Sequence, residues 1–296
     1  SDYRRPMTDY LIMTISHIAV FGAGTMGHGI AQVAAQAGFK VALYDIKQEF
    51  VDKGLASIKG NLDKGVEKGK VTAEQRAGAL ANLRGCTTVA DAAKGVHLAV
   101  EAVPEKLEIK QGLFRELDAL CGVETIFASN TSSLSIAKIA GATKRADRFL
   151  GMHFFNPVHI MKLLEVVVTA QTSEATLATV RELGAKLGKD CIVVKDFPGF
   201  ATSRLGVCLG LEAIRMVEQG VASAADIDKA LELGYAHPMG PLKLTDLVGL
   251  DVRLNIADYL HGELKSEVFK APQLMRDMVK AGRLGKKSGE GFYKYQ

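Results

Sequence analysis

The pattern of apolar and polar residues in the first fifty positions predicts a strand, a helix and a second strand. An apolar run at 17–21 precedes a glycine-rich turn, and apolar residues at 30–34 then recur at helical spacing. Gly38 ends that helix, and a second apolar run follows at 40–44. This order is typical of parallel sheets in which helices connect the strands.

The same alternation of strands and helices continues to residue 194. Further apolar runs predict strands at 97–100, 125–128, 149–154, 163–168 and 191–194. Between the second strand and the run at 97, two helices in series predict a helical hairpin over about 48–83. Its second helix begins with a capping box of Thr72 and Gln75. A hairpin of this length is expected to extend from the sheet and to serve a separate purpose.

A turn pair, Pro198-Gly199, ends the alternation and predicts a domain boundary. Beyond it, apolar residues follow helical spacing alone. Residues 1–196 are therefore expected to form a doubly wound α/β domain, and residues 197–296 a smaller all-α domain. Because so short a helical domain rarely buries so many apolar side chains alone, we expect it to form a homodimer interface.

The glycine-rich turn has the spacing of a dinucleotide-binding loop in a Rossmann-type sheet. Gly22 permits the tight turn, Gly24 lets the backbone approach a pyrophosphate, and Gly27 lets helix and strand pack closely. Thr25 and Met26 begin the following helix, whose unpaired N–H groups and positive dipole end favour an anion. These five positions are predicted to bind the cofactor.

An acidic residue at the end of the second strand indicates which dinucleotide binds. Asp45 follows the glycine turn by about 20 residues, the spacing at which a carboxylate accepts both ribose hydroxyls. The same carboxylate would repel a 2′-phosphate, so NAD is predicted over NADP. Lys47 lies close enough to weaken that preference.

Composition makes several other classes of protein poor fits. The net charge is +4 and the basic residues are dispersed, which does not fit a nucleic-acid-binding surface. The four cysteines are far apart without a C-x-x-C pair, so no metal site and no disulfide framework are expected, and a cytoplasmic location fits best. The chain lacks an apolar run of the roughly 18 residues that a membrane span needs, and no leader peptide is expected. Residues 1–13 precede the first predicted strand and carry no fold prediction.

A histidine near the end of one predicted strand is the first candidate for catalysis. His153 follows the run that begins at Phe149, and Pro157 bends the chain so that the run at 163–168 can return antiparallel. That return would bring Glu165 beside His153. A carboxylate holds an imidazole in one tautomer and raises its basicity, as a general base requires. On the residues alone, a histidine among aromatic residues is more often a buried structural residue than a catalytic one.

Six motifs, taken together and in order, resemble the 3-hydroxyacyl-CoA dehydrogenase family, closest to its short members that act on 3-hydroxybutyryl-CoA. The motifs are GAGTMG at 22–27, VEAVPE at 100–105, SNTSS at 129–133, HFFNP at 153–157, PGF at 198–200 and GKKSGEGFY at 285–293. The resemblance runs from about residue 17 to residue 295.

The resemblance implies a catalytic role for three residues. His153 matches the general base that takes the proton of the substrate 3-hydroxyl as C3 passes a hydride to the nicotinamide. Glu165 matches the partner of that base. Ser132 matches the serine that bonds near both the substrate hydroxyl and the nicotinamide, so it counts as a catalytic, substrate-binding and cofactor-binding candidate.

The resemblance also implies further contacts to the cofactor. Asn156 matches a position beside the nicotinamide, and Glu105 and Lys110 match positions on the ribose side. Lys287 matches a C-terminal lysine near the cofactor.

Contacts to coenzyme A are implied for the hairpin. Lys68 matches a lysine that contacts coenzyme A, and Asn61 stands where the family often has a serine. Ser203 stands where the family commonly places an asparagine in the substrate pocket, and a hydroxyl supplies only part of an amide's hydrogen bonds. On charge alone, Lys64 and Lys68 fit either an anionic ligand or a solvated helix end.

The same fold also serves relatives with other functions. L-gulonate dehydrogenase acts on a free hydroxy acid, and its lens-crystallin relative is a structural protein. The sequence also leaves the acyl-chain length open, including a chain with a distal carboxylate such as that of 3-hydroxyadipyl-CoA.

Overall fold

The computed structural model describes residues 13–295, and the chain divides into two compact units between Asp196 and Phe197. The first unit is built on an eight-stranded sheet with the order β3-β2-β1-β4-β5-β6-β7-β8. Its strands are β1 (His17–Phe21), β2 (Lys40–Tyr44), β3 (Leu83–Cys86), β4 (Leu98–Glu101), β5 (Ile126–Ser129), β6 (Phe149–Phe154), β7 (Leu163–Val168) and β8 (Asp190–Lys195). Every neighbouring pair is parallel except β6 and β7, which are antiparallel. The predicted doubly wound α/β fold is confirmed.

Seven helices connect these strands in the described part of the first unit. They are α1 (Thr25–Gln36), α2 (Gln48–Glu67), α3 (Ala73–Ala81), α4 (Val89–Ala93), α5 (Leu107–Leu120), α6 (Ile136–Ala140) and α7 (Glu174–Lys186). Their apolar faces join the strands in one core, which includes Val20, Ile30, Leu43 and Leu164. Because parallel strands are covered on both faces, β1, β4 and β5 are almost entirely buried.

The structure corrects the prediction for residues 83–96, where no strand was expected. Strand β3 pairs with β2 at the sheet edge, so α2 and α3 form the crossover between these two strands. Arg84 and Gly85 are both exposed in this edge strand. Because of such exposed positions, the strand lacks the continuous apolar run that predicts a central strand. A Cβ at Gly85 would lie 2.5 Å from Val51 Cγ1, so the missing side chain lets α2 pack closely on the edge. The short helices α4 and α6 were also not predicted.

The helical hairpin is anchored to the rest of the unit. Val51, Ile58 and Leu62 of α2 are buried, and both α2 and α3 pack against α1. The predicted capping box is present at the start of α3: Thr72 Oγ1 accepts from Gln75 N at 3.1 Å, and Thr72 N donates to Gln75 Oε1 at 2.9 Å. The hairpin is thus a packed pair of helices with an exposed turn at 67–70.

The second unit is helical, as predicted. It contains α8 (Thr202–Glu218), α9 (Ala224–Gly234), α10 (Pro241–Val248), α11 (Leu250–Leu264) and α12 (Gln273–Lys280). The apolar pattern that runs through 247–260 is divided between two helices, because Gly249 adopts φ +105 and separates α10 from α11. The core of this unit is apolar, with Leu211, Ile214, Leu242 and Leu260 at its centre.

Two buried aspartates attach the C-terminal segment to the helical unit. Asp246 accepts from the backbone N–H groups of Phe292 and Tyr293, each at 2.9 Å, and from Tyr295 Oη at 3.0 Å. Asp228 accepts from Tyr293 Oη at 2.6 Å. These bonds give buried carboxylates the partners that burial requires.

Within residues 13–295, no helix combines the length and the apolar character needed to cross a bilayer.

Candidate active site

The glycine turn after β1 has the geometry that each glycine was predicted to provide. Gly22 adopts φ +104, and a Cβ there would lie 2.5 Å from Ala102 O. A Cβ at Gly27 would lie 1.6 Å from Gly22 O, so this glycine permits the close contact of α1 with the turn. A Cβ at Gly24 would meet no atom within 4 Å, which leaves open space against the backbone at the start of α1. The residues present therefore fit a pyrophosphate at the positive end of a twelve-residue helix.

Asp45 is fixed beside this turn. Its Oδ2 accepts from Ala23 N at 2.8 Å, and its Oδ1 accepts from Ile46 N at 2.7 Å. Each carboxylate oxygen keeps a second lone pair for a ribose hydroxyl. Lys47 pairs with Glu49 at 3.5 Å and lies 5.5 Å from the centre of the Phe50 ring, and its side chain is 61% exposed.

A buried ion pair lies at the ends of β4 and α5. Lys110 Nζ is 2.6 Å from Glu101 Oε1, and the two side chains are 1% and 0% exposed. Ser129 Oγ donates to Glu101 Oε2 at 2.6 Å, and Val103 N donates to Glu101 Oε1 at 2.8 Å. Burial raises the pKa of Glu101, and the neighbouring Lys110 opposes that rise. Sequence reasoning assigned Glu101 no role, although an acid directly after an apolar strand is a recognisable signal.

The same lysine supports Glu105, which is exposed. Lys110 Nζ is 3.0 Å from Glu105 Oε2, and Glu105 Oε1 accepts from Thr131 Oγ1 and from Ser132 N, the latter at 3.2 Å. The loops after β4 and β5 are therefore joined through one carboxylate. Lys110 is 1% exposed, and its ammonium also lies 3.4 Å from the carbonyl oxygen of Val103.

Ser132 lies in the loop after β5. Its backbone N–H is used by Glu105, while among residues 13–295 no group bonds its hydroxyl. The neighbouring Asn130 accepts from Phe154 N at 2.9 Å, which ties this loop to the end of β6. The two loops and the strand end therefore form one connected group at the carboxyl edge of the sheet, where open α/β sheets bind ligands.

His153 and Glu165 face each other across the antiparallel pair of β6 and β7. His153 Nδ1 is 2.7 Å from Glu165 Oε2, and the two residues are 7% and 0% exposed. The predicted return of the chain after Pro157 is confirmed. Since a carboxylate only accepts hydrogen bonds, the imidazole donates through Nδ1, and in the neutral form of the ring Nε2 carries the lone pair. The ring of Phe155 lies 4.5 Å from the imidazole and limits its rotation.

The remaining predicted residues occupy separate places. Asn156 is exposed in the loop after β6. Asn61 is half-buried on α2 and donates to Gln32 Oε1 at 3.0 Å, whereas Lys68 is exposed directly after α2 ends. In the helical unit, Ser203 lies in the first turn of α8, and Lys287 Nζ is 2.5 Å from Asp251 Oδ1. The functional roles of these residues stay predictions. Among residues 13–295, no three His, Cys, Asp or Glu side chains are grouped so as to hold a metal ion.

Comparisons with known proteins cover almost the whole chain. The model of the NAD-binding domain of 3-hydroxyacyl-CoA dehydrogenases matches residues 17–197, and the model of the C-terminal domain of these enzymes matches residues 199–295.

Individual relatives are similar over nearly their full lengths. The chain is 45% identical over 284 residues to a probable 3-hydroxybutyryl-CoA dehydrogenase of Bacillus subtilis, covering 96% of this chain and 99% of the relative. It is 46% identical over 290 residues to the mitochondrial hydroxyacyl-coenzyme A dehydrogenase of Sus scrofa, covering 95% and 92%. The crystal structure of (S)-3-hydroxybutyryl-CoA dehydrogenase PaaH1 from Ralstonia eutropha matches with a TM-score of 0.92 and 42% identity, covering 96% of this chain and all of that one. The chain therefore belongs to the 3-hydroxyacyl-CoA dehydrogenase family and is an NAD-binding oxidoreductase, as its motifs predict.

Proposed function

We propose that this enzyme interconverts an L-3-hydroxyacyl-CoA, foremost 3-hydroxybutyryl-CoA, and the corresponding 3-oxoacyl-CoA. The observation that carries the proposal is the buried His153–Glu165 pair, with 2.7 Å between Nδ1 and Oε2. The pair lies in the same sheet as β1, and the glycine turn after β1 fits a dinucleotide pyrophosphate. The names of the relatives from Bacillus subtilis and Ralstonia eutropha favour 3-hydroxybutyryl-CoA as the substrate.

The proposed chemistry divides between the cofactor and the chain. Bound NAD supplies the nicotinamide that accepts or returns the hydride. His153 Nε2 takes the proton of the 3-hydroxyl during oxidation and returns it during reduction, a contribution of typically about 10² to 10⁴-fold. Glu165 keeps the proton on Nδ1 and stabilises the imidazolium that forms. The hydroxyl of Ser132 donates to the substrate oxygen.

We assign the cofactor to the glycine turn and the residues around it. Gly22, Gly24, Thr25, Met26 and Gly27 form the pyrophosphate site. Asp45 accepts the ribose hydroxyls of the adenosine half.

Further residues are proposed for the nicotinamide half of the cofactor. Glu105 accepts from its ribose and is held in place by Lys110. Asn156 lies beside the ring, and Lys287 is the proposed contribution of the helical unit to the cofactor.

Coenzyme A is assigned to the hairpin. The exposed ammonium of Lys68 suits its phosphates, and Asn61 lies two turns earlier on α2. Because the amide of Asn61 already bonds Gln32, its contact to coenzyme A requires that this bond be shared or exchanged. Ser203 is proposed to donate one hydrogen bond in the substrate pocket.

The first experiment compares acetoacetyl-CoA with free acetoacetate as oxidants of NADH. We expect acetoacetyl-CoA to be reduced at least a hundredfold faster at equal concentration, since only the thioester carries the coenzyme A that Lys68 binds (on the order of 2–3 kcal/mol of binding energy). Equal rates would favour a dehydrogenase of free hydroxy acids, and NADH binding without any turnover would favour a structural role.

In the same assay, His153→Gln should abolish turnover and leave NADH affinity within about twofold of the wild type. Substantial residual turnover would remove His153 from the role of general base.

The second experiment compares NADH with NADPH at matched concentrations. We expect NADH to be preferred, because the carboxylate of Asp45 repels a 2′-phosphate. Asp45→Asn should reduce the preference by removing the charge while keeping hydrogen-bond acceptance. A wild-type preference for NADPH would overturn the assignment.

A third measurement addresses the acyl chain. A profile of rates over straight chains and over 3-oxoadipyl-CoA would separate 3-hydroxybutyryl-CoA from longer substrates and from substrates with a distal carboxylate. We expect the four-carbon substrate to have the highest kcat/KM.

A further inference from the structure

Lys189 is a buried cation close to the candidate active site with no assigned role so far. It directly precedes β8, and it is 8% exposed. Within the described chain, no carboxylate lies within ion-pair distance of its ammonium. Burial lowers the pKa of Lys189, which reflects the cost of keeping a charge there.

The ammonium donates to two carbonyl oxygens of one loop. This loop, residues 155–162, connects the strand of His153 to the strand of Glu165. Lys189 Nζ donates to Val158 O and to Met161 O, the latter at 2.7 Å. Asp190 N, the next residue, donates to Lys162 O at 2.8 Å. The start of β8 therefore holds the loop at three carbonyls.

A second contact holds the loop from the side of α1. Val158 is 1% exposed, and a Cβ at Gly29 of α1 would lie 2.9 Å from Val158 Cβ. The rest of the loop is open: Ile160 is 65% exposed and Asn156 is also exposed. Besides Lys189, the loop is held at Val158 and by the bond of Asp190 N, and within it Ile160 N and Met161 N both donate to Pro157 O at 2.9 Å.

The loop begins with the aromatic residue that lies against the base. Phe155 contacts the imidazole of His153, and Asn156 follows it. A shift of the loop would move Phe155 and so release the imidazole from its orientation. Displacements of about 1 Å at such positions can lower rates by about a hundredfold.

We propose that Lys189 is a positioning residue that holds the loop 155–162, and through it His153 and Asn156, in the arrangement required for hydride and proton transfer. The inference rests on the proposed function of His153 as general base. A lysine suits this task because its ammonium has three hydrogen-bond donors and can bind both carbonyl oxygens of the loop at once. An apolar side chain has no donor for either carbonyl.

The test compares Lys189→Met with Lys189→Arg and with the control Lys186→Met. Lys186 is an exposed lysine on α7 whose ammonium pairs with Glu182 at 2.6 Å. In the reduction of acetoacetyl-CoA, we expect Lys189→Met to lower kcat by about tenfold to a hundredfold. KM for NADH should change by less than threefold. The kinetic isotope effect measured with NADH deuterated at the transferred hydride should rise toward its intrinsic value. Lys189→Arg should restore at least a third of wild-type kcat, and Lys186→Met should equal the wild type.

Two outcomes overturn the proposal. In the first, the kcat of Lys189→Met lies within twofold of the wild-type value. In the second, Lys189→Met folds with a lowered thermal midpoint but has an unchanged isotope effect. If Lys189→Met does not fold, the same measurements on Val158→Ala test the role of the loop, because this variant loosens the loop and leaves the lysine in place. We expect it to lower kcat and raise the isotope effect, and an unchanged enzyme would contradict the role of the loop. A wild type without activity on acetoacetyl-CoA would instead refute the proposed function, so the two failures are distinguishable.

Discussion

At the scale of single residues, the pairing of buried charges determines what a substitution does. Glu101 and Lys110 are both almost fully buried, and each satisfies the other at 2.6 Å. Such a pair adds little net stability, whereas removal of one partner leaves an uncompensated charge. The pair also supports Glu105, so its loss should affect both stability and the candidate cofactor site.

We predict that Lys110→Met destabilises the fold in a pH-dependent way. Burial raises the pKa of Glu101, and loss of the nearest cation raises it further. Below about pH 4.3, the ordinary glutamate pKa, the carboxyl is protonated in both states and the cost is smallest. As pH rises, the unfolded chain ionises first, so stability falls until Glu101 also ionises, with a cost of about 3–5 kcal/mol at neutral pH.

Urea unfolding of Lys110→Met from pH 4 to pH 8 tests this prediction. The control is Lys106→Met, an exposed lysine just before α5, which should change the free energy of unfolding by less than about 0.5 kcal/mol at each pH. A destabilisation of equal size at both ends of the pH range would contradict the assignment of the cost to Glu101.

At the scale of elements, the glycines between β1 and α1 serve two different purposes: one permits packing and another leaves room for a ligand. Gly27 is required by the protein itself, since a Cβ there would collide with Gly22 O. Gly24 has open space around its Cβ position and an ordinary φ of −66. Two glycines of one motif thus serve different purposes.

We predict that Gly24→Ala leaves the thermal midpoint within about 2 °C of the wild type and weakens NADH binding by about tenfold or more, because the methyl group occupies the approach of the pyrophosphate. Gly27→Ala should instead cost about 3 kcal/mol of stability, since backbone atoms must move to admit the methyl group. Thermal unfolding and NADH fluorescence titration check both variants. Equal NADH affinity of Gly24→Ala and the wild type would place the pyrophosphate elsewhere.

At the scale of the whole molecule, the helical unit exposes more apolar surface than a small unit needs. Large apolar side chains on three of its helices are 41–65% exposed, namely Leu205, Leu209, Leu247 and Val252. Exposed apolar side chains in such number favour a subunit interface. We infer that this surface forms the contact of a homodimer.

Sedimentation velocity at micromolar concentration should give a dimer. Leu209→Glu should weaken association by about a hundredfold, because a charge would be buried in an apolar contact. Leu120→Glu is the matched control, since Leu120 is 45% exposed in the first unit and should leave association unchanged. A monomeric wild type, or equal effects of both variants, would refute the interface.

Features that depend on local spacing could be predicted from residue order. The glycine turn, the alternation of strands and helices, the capping box at Thr72 and the return of the chain after Pro157 all follow from residue order, because turns, caps and periodicity act within a few residues. Strand β3 did not follow, because an edge strand with exposed positions lacks an apolar run. Nor did the break at Gly249, where a single backbone angle divides a continuous apolar pattern.

The contacts among buried polar groups became known from the folded chain alone. The link from Glu105 to Ser132 and the hold of Lys189 on the loop 155–162 join segments whose proximity depends on strand order, and the pairing of Glu101 with Lys110 depends on which side of α5 faces β4. Spacing along the chain reports which face of an element a residue occupies, but not which element packs against that face. The sequence could therefore identify His153 and its partner, which neighbouring strands bring together, while the buried groups around them became visible only in the folded chain.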